Sequence, residues 1–107
     1  MTQTIITLCT CPDKQSAEKV ARLLVEEKLA ACVNILPNIR SIYSWQGQIE
    51  SAEEQLLIIK SPQAGYQAIE TAILSLHPYE LPEIIAVPIE RGLPEYINWI
   101  NSCHASK

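Results

Sequence analysis

Six side chains in this 107-residue sequence carry the soft donor atoms that transition metals favour: Cys9, Cys11, Cys32, Cys103, His77 and His104. Cys9 and Cys11 stand two apart in a β-branched, apolar run. Alternate residues of a strand share a face, so both thiolates can reach one soft ion such as Cu(I). The alternative is that the two thiols pack as small hydrophobes under a helix or against a neighbouring subunit. His77 sits at the end of an apolar helical stripe, where an imidazole also serves the last carbonyls and the helix dipole. His104 and Cys103 lie in a terminal segment that reads as frayed rather than ligating. No nucleophile and base, paired carboxylates or glycine-rich phosphate loop stands out. The three glycines, Gly47, Gly65 and Gly92, are far apart, so no catalytic residue is assigned and a non-enzymatic role is expected.

The elements that must position these residues follow from hydrophobic period and punctuation. A first strand runs from about 4 to 11, ended by Pro12, with Asp13 placed to cap a helix. From Lys14 to Leu29, Ala17, Val20, Ala21, Leu24 and Val25 recur at helical spacing. Ala31 to Trp45 alternates, which puts Val33, Ile35, Ile39, Tyr43 and Trp45 on one face, with a bulge or unpaired edge expected at Pro37. Gln46-Gly47 turns the chain. The returning strand, Gln48 to Lys60, reads as solvated over its polar first half and buried from Leu56 to Ile59. Ser61-Pro62 resembles a helix start, leading to an apolar stripe of Tyr66, Ile69, Ile73 and Leu76 that Pro78 stops. A fourth strand, Glu83 to Ile89, carries the edge mark of Pro88; Gly92 turns the chain, and Pro94 opens a short last helix. The order βαββαβ plus a helix predicts one α+β domain over residues 1–107. It is a ferredoxin-like split βαβ sheet with helices on one side.

Composition narrows the function. Eight basic against twelve acidic residues give a net charge of −4 with no basic cluster, which argues against nucleic acid. No basic leader precedes an apolar stretch and no apolar run approaches 18 residues, so neither export nor membrane spanning is expected and a cytoplasmic protein with free thiols is. Trp45 and Trp99 have no basic neighbours and read as interface or core anchors rather than stacking platforms.

Two adjoining strands of about 13 residues would reach about 43 Å, beyond what one small domain covers. A projecting arm with Ile39, Ile42, Tyr43 and Trp45 needs a neighbouring copy to cover it, and Tyr43 and Trp45 are the expected subunit contacts. Apolar residues on both parities of the sheet, such as Ile5 and Cys9 against Ile6 and Leu8, also call for a second covering layer. Closed homo-oligomers supply one, of a subunit number that composition does not choose.

Ala30-Ala31-Cys32-Val33-Asn34 with Pro37, Ser41-Ile42-Tyr43 with Trp45 and Gly47, and Leu56-Leu57-Ile58-Ile59-Lys60 resemble the CutA family of divalent-cation tolerance proteins. So do His77-Pro78-Tyr79-Glu80, Pro82-Glu83, Pro88-Ile89, Gly92, Tyr96 and Trp99, in the same order. The resemblance implies a homotrimer with interlocking hairpins and a role in tolerance of divalent cations, copper above all. It maps a metal site onto Cys9 and His77, with Glu83 a further ligand, suited to Cu(II) or Zn(II) and not required for the fold. Some members carry a second histidine where Leu76 stands here. Likeness in fold to trimeric PII signalling proteins implies an alternative: a small-molecule ligand or partner in clefts between subunits, with Lys60, Tyr79 and Glu80 as polar handles.

Overall fold

The structure, a computed structural model, describes residues 3–103. Its elements are β1 (Thr4–Cys11), α1 (Lys14–Glu26), β2 (Cys32–Trp45), β3 (Gln48–Pro62), α2 (Tyr66–Leu76), β4 (Ile84–Pro88) and α3 (Pro94–Ser102). The four strands form one sheet in the order β2-β3-β1-β4, every neighbouring pair antiparallel, which is the expected ferredoxin-like arrangement. His104 lies outside the described residues.

The core fills the space between the sheet and the first two helices. Cys9 and Cys11 of β1, Leu57 and Ile59 of β3, Ala17, Val20 and Leu24 of α1, and Ile69 and Ile73 of α2 are all buried in it. Asp13 starts α1 by accepting the Ser16 N–H at 2.7 Å. The helix ends at Glu26 rather than Leu29. Lys28 takes a left-handed φ of 59°, and the N–H groups of Leu29 and Ala30 turn back to the Leu24 carbonyl at 2.9 and 3.1 Å. That closure satisfies a terminal carbonyl and reverses the chain toward β2.

The β2–β3 hairpin is the long arm, and it gives the molecule a longest extent of 44 Å against 27 and 21 Å. Gln46 and Gly47 have φ of 52° and 80°, the two positive values of a type I′ turn between Trp45 and its partner Gln48. At the predicted irregularity, Pro37 and Asn38 together oppose the single residue Gln55, with Asn38 at φ 61°. This bulge corrects the expected face assignment. Val33 and Ile35 pair with Ile59 and Leu57 on the helix side. Beyond the bulge Ile39, Tyr43 and Trp45 pair with Glu54, Glu50 and Gln48 and so point to the opposite side.

Three further expectations give way to the structure. Ser61-Pro62 does not start a helix. Both residues continue β3 opposite Ile5 and Thr4, the Ser61 hydroxyl is bonded to the Pro62 carbonyl at 2.9 Å, and α2 begins only after a 3-10 turn at Gln63–Gly65. The helices do not all lie on one side. On the second face Thr4 donates to Asn101 at 2.8 Å and Lys60 to the Tyr96 hydroxyl at 3.2 Å, which holds α3 over that end of the sheet with Ile100 fully buried. The rest of that face, Leu8, Leu56 and Ile58, stays half-buried in one chain. Gly92 has no positive φ; a Cβ there would sit 2.7 Å from Ile97 Cδ1, so close approach is what requires glycine. β4 is an edge strand ending at Pro88, as the proline requires.

Candidate metal centre

Strand geometry puts Cys9 and Cys11 on the core face of β1. There Cys9 pairs with Leu57 and Ile84, and Cys11 with Gln55. His77 follows the last residue of α2. Its N–H still bonds the Ile73 carbonyl at 2.8 Å, but its extended backbone (φ −76°, ψ 135°), set by the proline that follows, swings the ring toward the end of β1. The Cys9 and Cys11 sulfurs and a ring nitrogen of His77 thereby lie within 4.8 Å of one another. Among the described residues these three form the one such cluster of cysteine, histidine or acidic side chains.

The ring of His77 is held at both nitrogens. Nδ1 accepts the Tyr79 N–H at 3.1 Å, and Nε2 lies 2.6 Å from the Thr10 carbonyl oxygen, which assigns the proton to Nε2. Tyr79 packs against the ring with centroids 4.9 Å apart. The two thiols are unlike each other. Interaction with the neighbouring Cys11 thiol, then burial and the charges of Cys11, Glu83 and Glu54, push the Cys9 thiol up, whereas the same interaction holds Cys11 below its ordinary value. Cys9 Sγ also lies 3.8 Å from the Thr10 carbonyl, a long contact for so weak a donor.

Glu83 stands outside the cluster, exposed just before β4, and reaches Cys9 through its charge. Two residues of the stretch expected to be solvated are buried instead. Glu54 is 5 % exposed, and its carboxylate accepts the Tyr79 hydroxyl at 2.7 Å. That bond and, first, burial push the Tyr79 phenol up. Gln55 is 4 % exposed, and its side-chain oxygen has no hydrogen-bond partner among the described residues. Polar residue type concealed both, because the loop after α2 that covers them is remote in sequence. Tyr79 and Lys60 do not converge within one chain: Tyr79 bonds Glu54, six positions along β3 from Lys60, or about 20 Å. Tyr43 and Trp45 lie on the arm, 44 % and 40 % exposed.

The donors fit a soft ion. Two thiolates and an imidazole are typical ligands of zinc and copper, and tetrahedral ligation at about 2.0–2.3 Å would need the three atoms to close by about 1 Å. A ligating His77 would give up one of its two hydrogen bonds, about 1 kcal/mol, small beside the binding energy of a thiolate metal site. Its other nitrogen would keep the kind of backbone contact that orients metal-bound histidines.

Comparison with known proteins finds relatives over nearly the whole chain. Residues 5–103 match the family described as CutA1 divalent ion tolerance protein. Protein CutA of Mus musculus is 46 % identical over 86 % of this chain, which there spans 52 % of the relative, so the chain covers about half that protein's length. The divalent-cation tolerance protein CutA of Thermus thermophilus is 43 % identical over 89 % of this chain and 92 % of its own. The solved Thermus thermophilus structure superposes with a TM-score of 0.93 at 40 % identity, over 95 % of this chain and 99 % of that one. The PII-like protein CutA from Nostoc, in apo form, superposes with a TM-score of 0.86 at 38 % identity, over 99 % of this chain and all of the other.

Proposed function

The chain belongs to the CutA1 divalent ion tolerance family, and on that premise we propose that it is a non-enzymatic homotrimer that binds copper or another soft divalent ion through Cys9, Cys11 and His77. The observation that carries the reading is the convergence of two buried thiols and an imidazole from β1 and the end of α2. Glu83 contributes negative charge at the rim of that site, which favours a cation, rather than a donor atom of the cluster. No described helix is long and apolar enough to cross a membrane, and the four cysteines are free, which suits a reducing cytoplasm.

The association of copies rests on the arm, and the number three on the family resemblance. Tyr43, Trp45, Ile42 and Ile49 stand 40–77 % exposed on a hairpin too long for its own domain to cover, and further copies of the chain are the expected cover. Native mass spectrometry with one equivalent of Cu(II) or Zn(II) per chain tests both parts. The expected result is a trimer that takes up metal, and a Cys9→Ala/His77→Ala variant that remains trimeric and takes up none. A monomer would overturn the arm argument, and equal uptake by the variant would overturn the site.

A second reading is favoured by the PII-like description of the Nostoc relative: a ligand-sensing trimer with small molecules in the clefts between subunits. It predicts a trimer indifferent to the Cys9 and His77 changes.

A further inference from the structure

The unpartnered Gln55 oxygen gives the candidate centre a fourth group. Gln55 is the direct antiparallel partner of Cys11, and directly opposed residues on one face have Cβ atoms about 4.5–5.5 Å apart. Its side chain is therefore on the core side with the two thiols, and 4 % exposure leaves water almost no access to it. A buried amide oxygen without a donor is costly, and natural folds rarely keep one without a use for it. Thr7 Oγ1 is the other buried side-chain oxygen without a partner among the described residues; it lies two residues from Cys9 along β1, whereas Gln55 stands directly opposite Cys11.

We propose that Gln55 is the oxygen donor of a four-group site with Cys9, Cys11 and His77, and that this site selects a divalent, four-coordinate ion of the Zn(II) class over Cu(I). This rests on the metal-binding reading above. Charge decides the selectivity. Two thiolates carry two negative charges, and a neutral imidazole and a neutral amide add none. A divalent ion thus leaves the buried assembly uncharged, whereas Cu(I) leaves it with one net negative charge. Burying net charge is strongly unfavourable. Four donors also complete the tetrahedral shell of zinc, while Cu(I) is content with the two thiolates and has no need of the amide. Binding a divalent ion displaces the two thiol protons to solvent, so the step involves no change of oxidation state.

The test is Gln55→Leu, with the less bulky change of shape Gln55→Met beside it should leucine prevent folding. Zn(II) affinity is read by competition with a coloured chelator under reducing conditions, and the stability of the metal-free protein by urea. An oxygen donor predicts that zinc affinity falls at least tenfold while the metal-free protein is as stable as the parent or more so, because an unsatisfied oxygen has been removed. Cu(I) affinity should be unchanged by the substitution. Unchanged zinc affinity, or a metal-free protein that loses stability in both variants, overturns the role of Gln55 while leaving the Cys9–Cys11–His77 site standing. A parent protein that takes up no zinc overturns this inference, and failure of the parent to take up any metal overturns the reading beneath it as well.

Discussion

Removing one hydroxyl, in Tyr79→Phe, isolates the contact that ties the loop after α2 to the buried part of the arm. The Tyr79 hydroxyl donates to a Glu54 carboxylate that is only 5 % exposed, at 2.7 Å, the short length of a charge-assisted bond. Hydrogen bonds to charged groups contribute about 1.5–3 kcal/mol, and losing one leaves the buried acceptor unsatisfied. Tyr79 is itself half-buried, so water can partly replace the hydroxyl and a loss of about 1.5–2 kcal/mol is expected. The assay is urea unfolding at fixed protomer concentration, because association makes apparent stability concentration-dependent. A double-mutant cycle with Glu54→Leu separates the pair from its surroundings, and the double variant should recover most of the loss since neither partner is then stranded. The pH dependence has a definite sign. Burial first, and then the Glu54 bond, raise the folded phenol above its unfolded value of about 10. The contribution is therefore fully present below about pH 10 and disappears as pH rises through the raised folded value. A Tyr79→Phe cost below about 0.5 kcal/mol, or strict additivity in the cycle, would refute the claim that Glu54 is held dry by Tyr79.

Asp13→Ala should lower the urea midpoint at neutral pH; the Ser16 backbone N–H holds the Asp13 carboxyl below its ordinary value, so the difference is full above about pH 3.9 and closes as pH falls through the depressed folded value. Gly92→Ala should cost about 1–3 kcal/mol by equilibrium unfolding, because the new methyl would meet the Ile97 side chain at 2.7 and 2.9 Å; a companion Ile97→Val change should recover part of it. Gln46→Asn should stabilise the arm by about 0.5 kcal/mol, as Gln46 sits at φ 52° in a type I′ turn that asparagine tolerates better; hydrogen exchange of the hairpin amides is the sensitive readout.

Residue type and period alone determined the element order, the antiparallel split βαβ sheet, the long hairpin with its irregularity at Pro37, and the shared face of Cys9 and Cys11. Each of these follows from local rules: alternate side chains of a strand must share a face, and proline must interrupt a ladder. Even the departures at Glu26 and Ser61 are boundary effects, where chain reversal through Lys28 and pairing with β1 outweighed local preference. What only the tertiary structure decided are matters of register and long-range approach. The two-residue bulge opposite Gln55 turns Tyr43 and Trp45 to the far side of the sheet, because one extra residue inverts every later side chain. The swing of the chain at His77 carries an imidazole across 66 residues of sequence to the sulfur of Cys11. It also brings Tyr79 over Glu54, and two polar residues of an apparently solvated strand are buried, Gln55 on the face of the thiols and Glu54 on the other. Burial of a polar side chain depends on what folds over it, and that covering segment lies too far along the chain for any local pattern to announce.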